Sequence, residues 1–413
     1  MDRKEADHQQ EADHQKEADH RVGHPMALAH YIQSTAVAHA QLIHAHSGRN
    51  PNGAFVPAEF LTNKPAPDLL IDASYQRLNS MMSGLNKWRC HPYRRQTQDP
   101  AIIWRNGNAR ILDFAPQSQA PFTLVIPSLI NRHYILDLMD ENSFLRQLVC
   151  EGLHPVVLDW GEPLLGQGPH GLSEHMVDIL APAFGYLEEC SKTKPGILGY
   201  CMGGTLAVGL AAHLGKRLSK LCLIGTPWDF SQFEGIAKSL KDHILEQGVA
   251  QFDLSLTSMG LQFGAIPAHL FQHLFALIAP MQMVQKFSKF DKMEVDSQSA
   301  TQFVAVEDWL ADPVPVPTEA AKNILIDWYI HNQTGNLDWA PFGRDINPAH
   351  ITSPSLIITG RKDRIVPPLV SNVLADLIPD TQHLEVDMGH VGMIVGRRSY
   401  AEVAKPISAF FYR

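Results

Sequence analysis

Short, continuously apolar segments alternate with helical segments over most of the chain, and this alternation limits the possible folds more than any other feature. The apolar segments are too short for helices and end at turn-forming or polar residues. Such segments are expected to be strands buried on both faces, within a mostly parallel sheet covered by helices. The predicted strands are residues 109–114, 122–126, 154–158, 196–200, 220–224, 355–359 and 383–386, and helices are predicted at 141–150, 173–190 and 203–214.

One long insertion interrupts the alternation. Residues 230–348 carry helical patterns, prolines and aromatic residues without a convincing strand. An insertion of this kind is expected over the carboxyl ends of the strands, where ligands bind in open α/β sheets. We interpret it as a helical cap or lid between the two parts of the core, 101–229 and 349–413. The alternative is additional helical packing without a gating role.

The first hundred residues differ from the rest. The sequence Glu-Ala-Asp-His occurs three times within residues 1–24, at 5–8, 11–14 and 17–20, with almost no apolar side chain. This composition predicts a disordered low-complexity tail. The alternative is a metal site formed by His8, His14 and His20. Residues 25–100 are predicted to be an N-terminal helical segment and linker, with a helix at about 68–87.

Composition excludes several classes of protein. The formal net charge is -9 and there is no basic block, which argues against nucleic acid as a partner. No apolar run approaches the roughly 20 residues of a membrane span, so no transmembrane segment is predicted. The charged N-terminus has no apolar signal region, which predicts a cytoplasmic location. The five cysteines are scattered and odd in number, as expected of reduced thiols.

The segment Gly199-Tyr200-Cys201-Met202-Gly203-Gly204 is the sharpest local motif. It follows a predicted strand and precedes a predicted helix, which is the context of a nucleophile elbow. Small residues are needed two positions before and two after the nucleophile, and both are glycine. Cys201 would project at a helix N-terminus, where partial positive charge lowers a thiol pKa. The backbone N–H of Met202 would point toward a developing oxyanion. The alternative is a buried cysteine in a packing turn.

An acid and a base follow the last two predicted strands. Asp363 lies in the loop after residues 355–359, and His390 lies in the loop after residues 383–386. The order nucleophile, acid, histidine is that of the α/β-hydrolase fold, which we predict for this chain. Asp387 is the rival acid. A cysteine with such a triad suits acyl exchange between thioesters. No metal ion or cofactor is predicted.

The chain resembles the polyhydroxyalkanoate synthases over roughly residues 65–410. The resemblance rests on the cysteine-containing box GYCMGG, on INRHYILDL, NSFLRQL and VVLDWGEP upstream, and on GRKDRIVPP and GHVGMIVG downstream. It implies that Cys201 accepts a 3-hydroxyacyl group from a coenzyme A thioester, which is a substrate and not a cofactor. It further implies that His390, oriented by Asp363, serves both acylation and elongation. The N–H groups of Met202 and Ile130 would form the oxyanion hole.

The resemblance leaves subclass and partners open. The chain is closer in size to the small synthase subunits than to the large synthases, which predicts a homodimer or a second synthase subunit, and association with the polymer granule surface. A cysteine-dependent thioesterase or intracellular polyester depolymerase would use the same triad. An inactive granule-associated relative is the non-enzymatic alternative.

Overall fold

The computed structural model describes residues 67–97, 99–163, 171–278 and 282–412. The predicted tail of residues 1–24 and the predicted segment up to residue 66 lie outside the described residues. The chain divides into two compact units. The larger unit comprises residues 95–274 and 312–413, and it contains the sheet and the predicted site.

Ten strands occur in the described part of the chain, and eight of them form one sheet in the order β1-β2-β6-β3-β7-β8-β9-β10. The six strands from β6 to β10 in this order run parallel, whereas β1 and β2 pair antiparallel. The prediction of a mostly parallel sheet is therefore confirmed. The strands are β1 (Ala101–Asn106), β2 (Ala109–Asp113), β3 (Phe122–Ile126), β4 (Asp137–Met139), β5 (Asn142–Ser143), β6 (His154–Asp159), β7 (Gly196–Tyr200), β8 (Leu221–Ile224), β9 (Ser355–Gly360) and β10 (Thr381–Val386).

The central strands are buried along their whole length. Every residue of β7, β8 and β9 is buried. Because consecutive side chains point to opposite faces, both faces of the sheet must be covered there. The helix Met202–Leu214 packs on β3, β7 and β8, and Pro368–Leu377 packs on β9 and β10. The carboxyl ends of these parallel strands share one edge, which is where the predicted site residues lie.

Several local structures differ from the prediction, among them the short strands β4 and β5, which were not predicted. Strand β1 was not predicted, although it pairs with β2 through the two-residue loop Gly107-Asn108. Gly107 has φ +57°, as a type II′ hairpin turn requires of its first central residue. The helix predicted at 141–150 begins only at Phe144, because Ser143 caps it by accepting the N–H of Arg146 and pairs within the β4–β5 hairpin.

Helices make up most of the remaining regular structure in the described part of the chain. Within 230–348 the described residues contain no strand, only isolated bridges between Ile266 and Val316 and between Pro313 and Asn131. The gating role of this segment stays a prediction. The α-helices are Pro67–Arg89, Phe144–Cys150, Leu172–Glu174, Ala181–Cys190, Met202–Leu214, Gly235–Gln247, Val249–Phe263, Ala268–Ile278, Gln282–Asp291, Gln298–Leu310, Thr318–Lys322, Gln333–Asn336, Pro368–Leu377, Gly392–Val395 and Lys405–Tyr412. None of the helices described is long and apolar enough to cross a bilayer.

The smaller unit is helical in its described residues, which lie within 67–94 and 275–311. The helix predicted at 68–87 is confirmed as Pro67–Arg89, and it packs along Gln282–Asp291. A close approach of the two helices is possible because Gly84 has no side chain; a Cβ there would collide with the backbone of Phe287. Trp88 is fully buried in the shared core, and its indole N–H donates to Asp308.

Candidate active site

The turn between β7 and the helix Met202–Leu214 holds Cys201 in a strained conformation. Its φ is +56° and its ψ is -132°, a region that costs a residue with a side chain roughly 1–3 kcal/mol. Hydrogen bonds on both sides fix this conformation. The N–H of Cys201 donates to Ile224 at 2.9 Å, and its carbonyl accepts from the N–H of Gly204 at 2.9 Å. The structure thus has the nucleophile-elbow geometry that the motif predicts.

Two glycines allow the turn to be this tight. A Cβ at Gly199 would lie 2.5 Å from the Cα of Gly204. A Cβ at Gly203 would lie 2.5 Å from the carbonyl oxygen of Pro127 and still closer to that of Ile126. The start of the helix is therefore packed directly on the end of β3. The spacing of glycines about Cys201 has a steric cause, because backbone atoms occupy the space that a side chain would need.

Cys201 differs in environment from the other cysteines. Its thiol is half-buried at the N-terminus of a helix of 13 residues. As the first residue of that helix, Met202 has an N–H without an intrahelical acceptor. Cys222 is fully buried, and burial raises its thiol pKa. Cys90, Cys150 and Cys190 are exposed.

The loop after β9 holds the carboxylate of Asp363. Its side chain is inaccessible to solvent. One oxygen, Oδ1, accepts the N–H groups of Ile365 and Val366, both at 2.9 Å. The other oxygen, Oδ2, lies 2.6 Å from Nδ1 of His390. The two backbone bonds orient the carboxylate so that the free oxygen faces the imidazole.

The loop after β10 brings His390 beside both predicted partners. Burial alone would lower the pKa of His390, but the negative charges of Asp363 and Cys201 raise it well above its ordinary value. Nδ1 contacts Asp363, which leaves the buried Nε2 for the side-chain interaction with Cys201. This nitrogen is the one that a base would use towards the thiol. The structure thus brings together the three residues that the sequence indicated.

The rival acid does not contact the imidazole. The carboxylate of Asp387 is 41% exposed and pairs with Lys362 at 2.7 Å. This pairing lowers the pKa of Asp387. The geometry therefore favours Asp363 over Asp387 as the acid, although the two lie in adjoining loops.

The loop after β3 contains the second predicted oxyanion donor. The N–H of Ile130 donates to the hydroxyl of Ser128 at 3.3 Å, so an oxyanion would have to displace this bond. Trp160, from the VVLDWG motif, donates its indole N–H to Pro127 at 3.1 Å. Arg132 anchors the far end of the loop through Asp312 at 2.7 Å. Tertiary contacts therefore hold this loop at both ends, and the role of Ile130 stays a prediction.

One residue next to the site escaped the sequence reasoning. The ring of Tyr200 stacks on the imidazole of His390, with centroids 5.1 Å apart and an interplanar angle of 26°. The only signal in the sequence was the position of Tyr200 immediately before the nucleophile, which says nothing about its partner.

No group of three or more His, Cys, Asp or Glu side chains is placed to hold a metal ion in the parts of the chain that the structure describes. The three histidines of the tail repeat, His8, His14 and His20, lie outside those parts. The expectation that no cofactor is needed stays a prediction.

Comparison with known proteins supports both the fold and the resemblance. Residues 166–397, more than half of the chain, match the family model described as alpha/beta hydrolase fold. Residues 93–148 match the model described as Poly-beta-hydroxybutyrate polymerase (PhaC) N-terminus. Among solved structures, an alpha/beta hydrolase fold protein from Nakamurella multipartita is 19% identical with a TM-score of 0.45, covering 73% of this chain and 95% of that one.

Three curated relatives are named Poly(3-hydroxyalkanoate) polymerase subunit PhaC. The protein of Haloferax mediterranei is 27% identical over 75% of this chain and 63% of its own length. That of Haloarcula marismortui is 28% identical over 70% of this chain and 60% of its own length. That of Allochromatium vinosum is 26% identical over 75% of this chain and 85% of its own length. The chain thus spans less than two thirds of the first two relatives. The resemblance to polyhydroxyalkanoate synthases is confirmed.

Proposed function

The chain belongs to the α/β hydrolase fold family, and on that premise we propose that it is a polyhydroxyalkanoate synthase, an acyltransferase that polymerises 3-hydroxyacyl groups from coenzyme A thioesters. The observation that carries the proposal is the contact of His390 with Asp363 beside a cysteine held in a nucleophile elbow. A cysteine nucleophile supports transfer between thioesters, because the acyl-enzyme is itself a thioester. The names of the three relatives support the substrate class.

Acylation begins with proton transfer from Cys201 to Nε2 of His390. The raised pKa of His390 favours the resulting thiolate–imidazolium pair. The thiolate attacks the thioester carbonyl carbon, and the N–H groups of Met202 and Ile130 stabilise the oxyanion. The carbon–sulfur bond to coenzyme A then breaks, and the departing thiolate takes the proton from His390. Asp363 holds the imidazole in the tautomer that keeps Nε2 available.

Elongation uses the same base a second time. His390 removes the proton from the 3-hydroxyl group of another 3-hydroxyacyl unit, and the alkoxide attacks the acyl thioester at Cys201. An ester bond forms, the Cys201 thiolate leaves, and the proton returns to it from His390. The gating role predicted for the helical segment 230–348 is part of this proposal.

The proposed partners follow from size and from the word "subunit" in the names of the relatives. The chain would act as a homodimer or with a second synthase subunit, and at the polymer granule surface. Twelve large apolar side chains are exposed in the described part of the chain, and five of them, Ile236, Leu245, Leu254, Leu261 and Phe263, lie on two successive helices. Such a surface would suit an apolar partner or product.

One assay tests the proposal against its alternatives. Purified protein is incubated with 3-hydroxybutyryl-CoA, and free coenzyme A, free acid and polymer are measured by chromatography. Polymer with free coenzyme A is the expected result. Coenzyme A with free acid would instead indicate a thioesterase, and no coenzyme A release would indicate an inactive relative.

Two variants localise the chemistry. Cys201→Ala is expected to abolish coenzyme A release, and Cys201→Ser to be nearly as poor, because a serine hydroxyl is far harder to ionise than a thiol. Cys190→Ala is the matched control, since Cys190 is exposed and at the end of a different helix. Near-normal turnover in Cys201→Ala would contradict the proposal that Cys201 is the nucleophile.

A further inference from the structure

We propose that Tyr200 is a positioning residue for His390, whose ring face holds the imidazole in place and stabilises it in the protonated state. The inference rests on the roles proposed above for Cys201 and His390. Positioning of the base by Tyr200, the residue before the nucleophile, is a role additional to those of the three triad residues.

The contact between the two rings is close and shielded. The centroids lie 5.1 Å apart, and the planes are within 26° of parallel. Tyr200 is 3% exposed and His390 is 7% exposed. The hydroxyl of Tyr200 also donates to the backbone carbonyl of His390, but at 3.4 Å, a length at which a hydrogen bond is weak. The ring face is therefore the main contact.

The imidazole is confined by further groups. Asp363 contacts Nδ1 at 2.6 Å. The backbone of Gly225 lies so close that a Cβ there would be 3.0 Å from Cε1 and 3.1 Å from Nδ1 of His390. With Nδ1 bonded and the ring in contact with Tyr200 and Gly225, the imidazole has little freedom to turn. Its other nitrogen, Nε2, is left for the thiol.

The ring face of Tyr200 also stabilises the positive charge of a protonated His390. A buried imidazolium has lost its water shell, which disfavours the charged form. A π face carries negative partial charge and attracts a cation that lies over it. The titratable groups that face the imidazole are Asp363, Cys201 and Tyr200. Burial raises the pKa of Tyr200 well above its usual value, so its ring faces the imidazolium as a neutral phenol.

The chain links this contact to the nucleophile. Tyr200 ends β7, and the next residue is the strained Cys201. The residue that stacks on the base is therefore also the direct neighbour of the nucleophile. This arrangement distinguishes Tyr200 from an aromatic residue that only fills the core.

The test is the pH dependence of Cys201 alkylation by iodoacetamide, followed on the Cys201 peptide by mass spectrometry. The rate reports the thiolate and needs no acyl substrate. In Tyr200→Leu the rate near neutral pH should fall about two- to tenfold, the range expected for losing one aromatic contact. The acid limb of the profile should move to higher pH, because the imidazolium that supports the thiolate is less stable. Tyr200→Phe keeps the ring and should retain the wild-type profile.

One control variant separates positioning from packing. Phe184→Leu removes a fully buried aromatic ring elsewhere in the core and should lower stability without moving the profile. Tyr200→Met, with a flexible apolar side chain, replaces Tyr200→Leu if the latter does not fold. An unchanged profile in the folded variant would overturn the inference. So would a Tyr200→Phe profile as displaced as that of Tyr200→Leu, since the hydroxyl would then be the active group.

Failure of the proposed function gives a different result. A displaced alkylation profile in a protein that makes no polymer would keep the inference and reject the synthase proposal. An unchanged profile in an active synthase would reject the inference alone.

Discussion

Replacement of Asp363 by asparagine tests how the base is held. The carboxylate has two separate tasks, because Oδ1 accepts two backbone N–H groups while Oδ2 contacts Nδ1 of His390. An asparagine can keep the first set of bonds through its amide oxygen. Its NH₂ group would then face Nδ1, and that nitrogen would have to act as an acceptor. The proton of a neutral imidazole would move to Nε2, the wrong nitrogen for a base.

The size of the effect follows from the lost charge. Hydrogen bonds to charged groups contribute about 1.5–3 kcal/mol, which corresponds to roughly 10- to 150-fold in rate if the contact is stronger in the transition state. The loss of the correct tautomer adds to this, so we expect a fall of at least about a hundredfold in the single-turnover acylation of Cys201. Because the negative charge of Asp363 raises the pKa of His390 against the effect of burial, that pKa should also fall in the variant. Folding should be largely retained, since the bonds to Ile365 and Val366 survive.

The assay is acylation of Cys201 by a radiolabelled 3-hydroxyacyl-CoA under single-turnover conditions, beside an unfolding curve for each protein. Asp387→Asn is the matched control, because Asp387 lies in the adjoining loop and pairs with Lys362 at the surface. It should acylate at close to the wild-type rate. Full activity in Asp363→Asn together with loss in Asp387→Asn would refute the assignment and give the acid role to Asp387.

Further predictions concern the elbow, the base and the tail. Gly203→Ala should lower the unfolding free energy by about 1–3 kcal/mol, because its Cβ would collide with the backbone of Ile126. Gly185→Ala, in a helix with open space around it, should raise the unfolding free energy by about 0.5–1 kcal/mol. Urea unfolding of both variants checks this, and equal effects would contradict it. Because the pKa of His390 is raised in the folded protein, its protonation stabilises the fold, fully so below about pH 6.5. This stabilisation is lost as the pH rises through the pKa of His390 in the folded state. Between these two pH values, the unfolding free energy should therefore depend less on pH in His390→Gln than in the wild type. His390→Gln should also lose acylation and elongation together, as single-turnover and steady-state assays would show. A chain starting at Gly23 should keep full specific activity, because the removed repeat offers little apolar surface. If the truncated protein folds but has lost activity, a metal site formed by the histidines of the repeat would have to be considered again.

The sheet and the triad could be predicted because local rules determine them. Fully buried strands appear as continuous apolar runs, and strand β7 has the predicted limits. The elbow could be located because its glycines have a steric cause within a few residues of Cys201. The acid and base followed from the order of the strands, since loops after parallel strands meet at one edge.

Other features depend on contacts that a sequence does not contain. The choice between Asp363 and Asp387 required distances, because both follow strands and either could approach an imidazole. The stacking of Tyr200 on His390 joins residues that are 190 positions apart. Strand β1 is a different case, since the Gly107-Asn108 pair is a recognised hairpin signal and β1 could have been predicted from it.

The backbone conformation at Cys201 lowers the stability of the fold, while the side chain at this position is needed for activity. Glycine adopts a φ of +56° without the penalty that a side chain incurs, so Cys201→Gly would relieve a local strain of roughly 1–3 kcal/mol. The same replacement would delete the thiol. A chain under selection for thermal stability alone would gain by losing this side chain, and a thermostability screen blind to turnover would be expected to recover that variant.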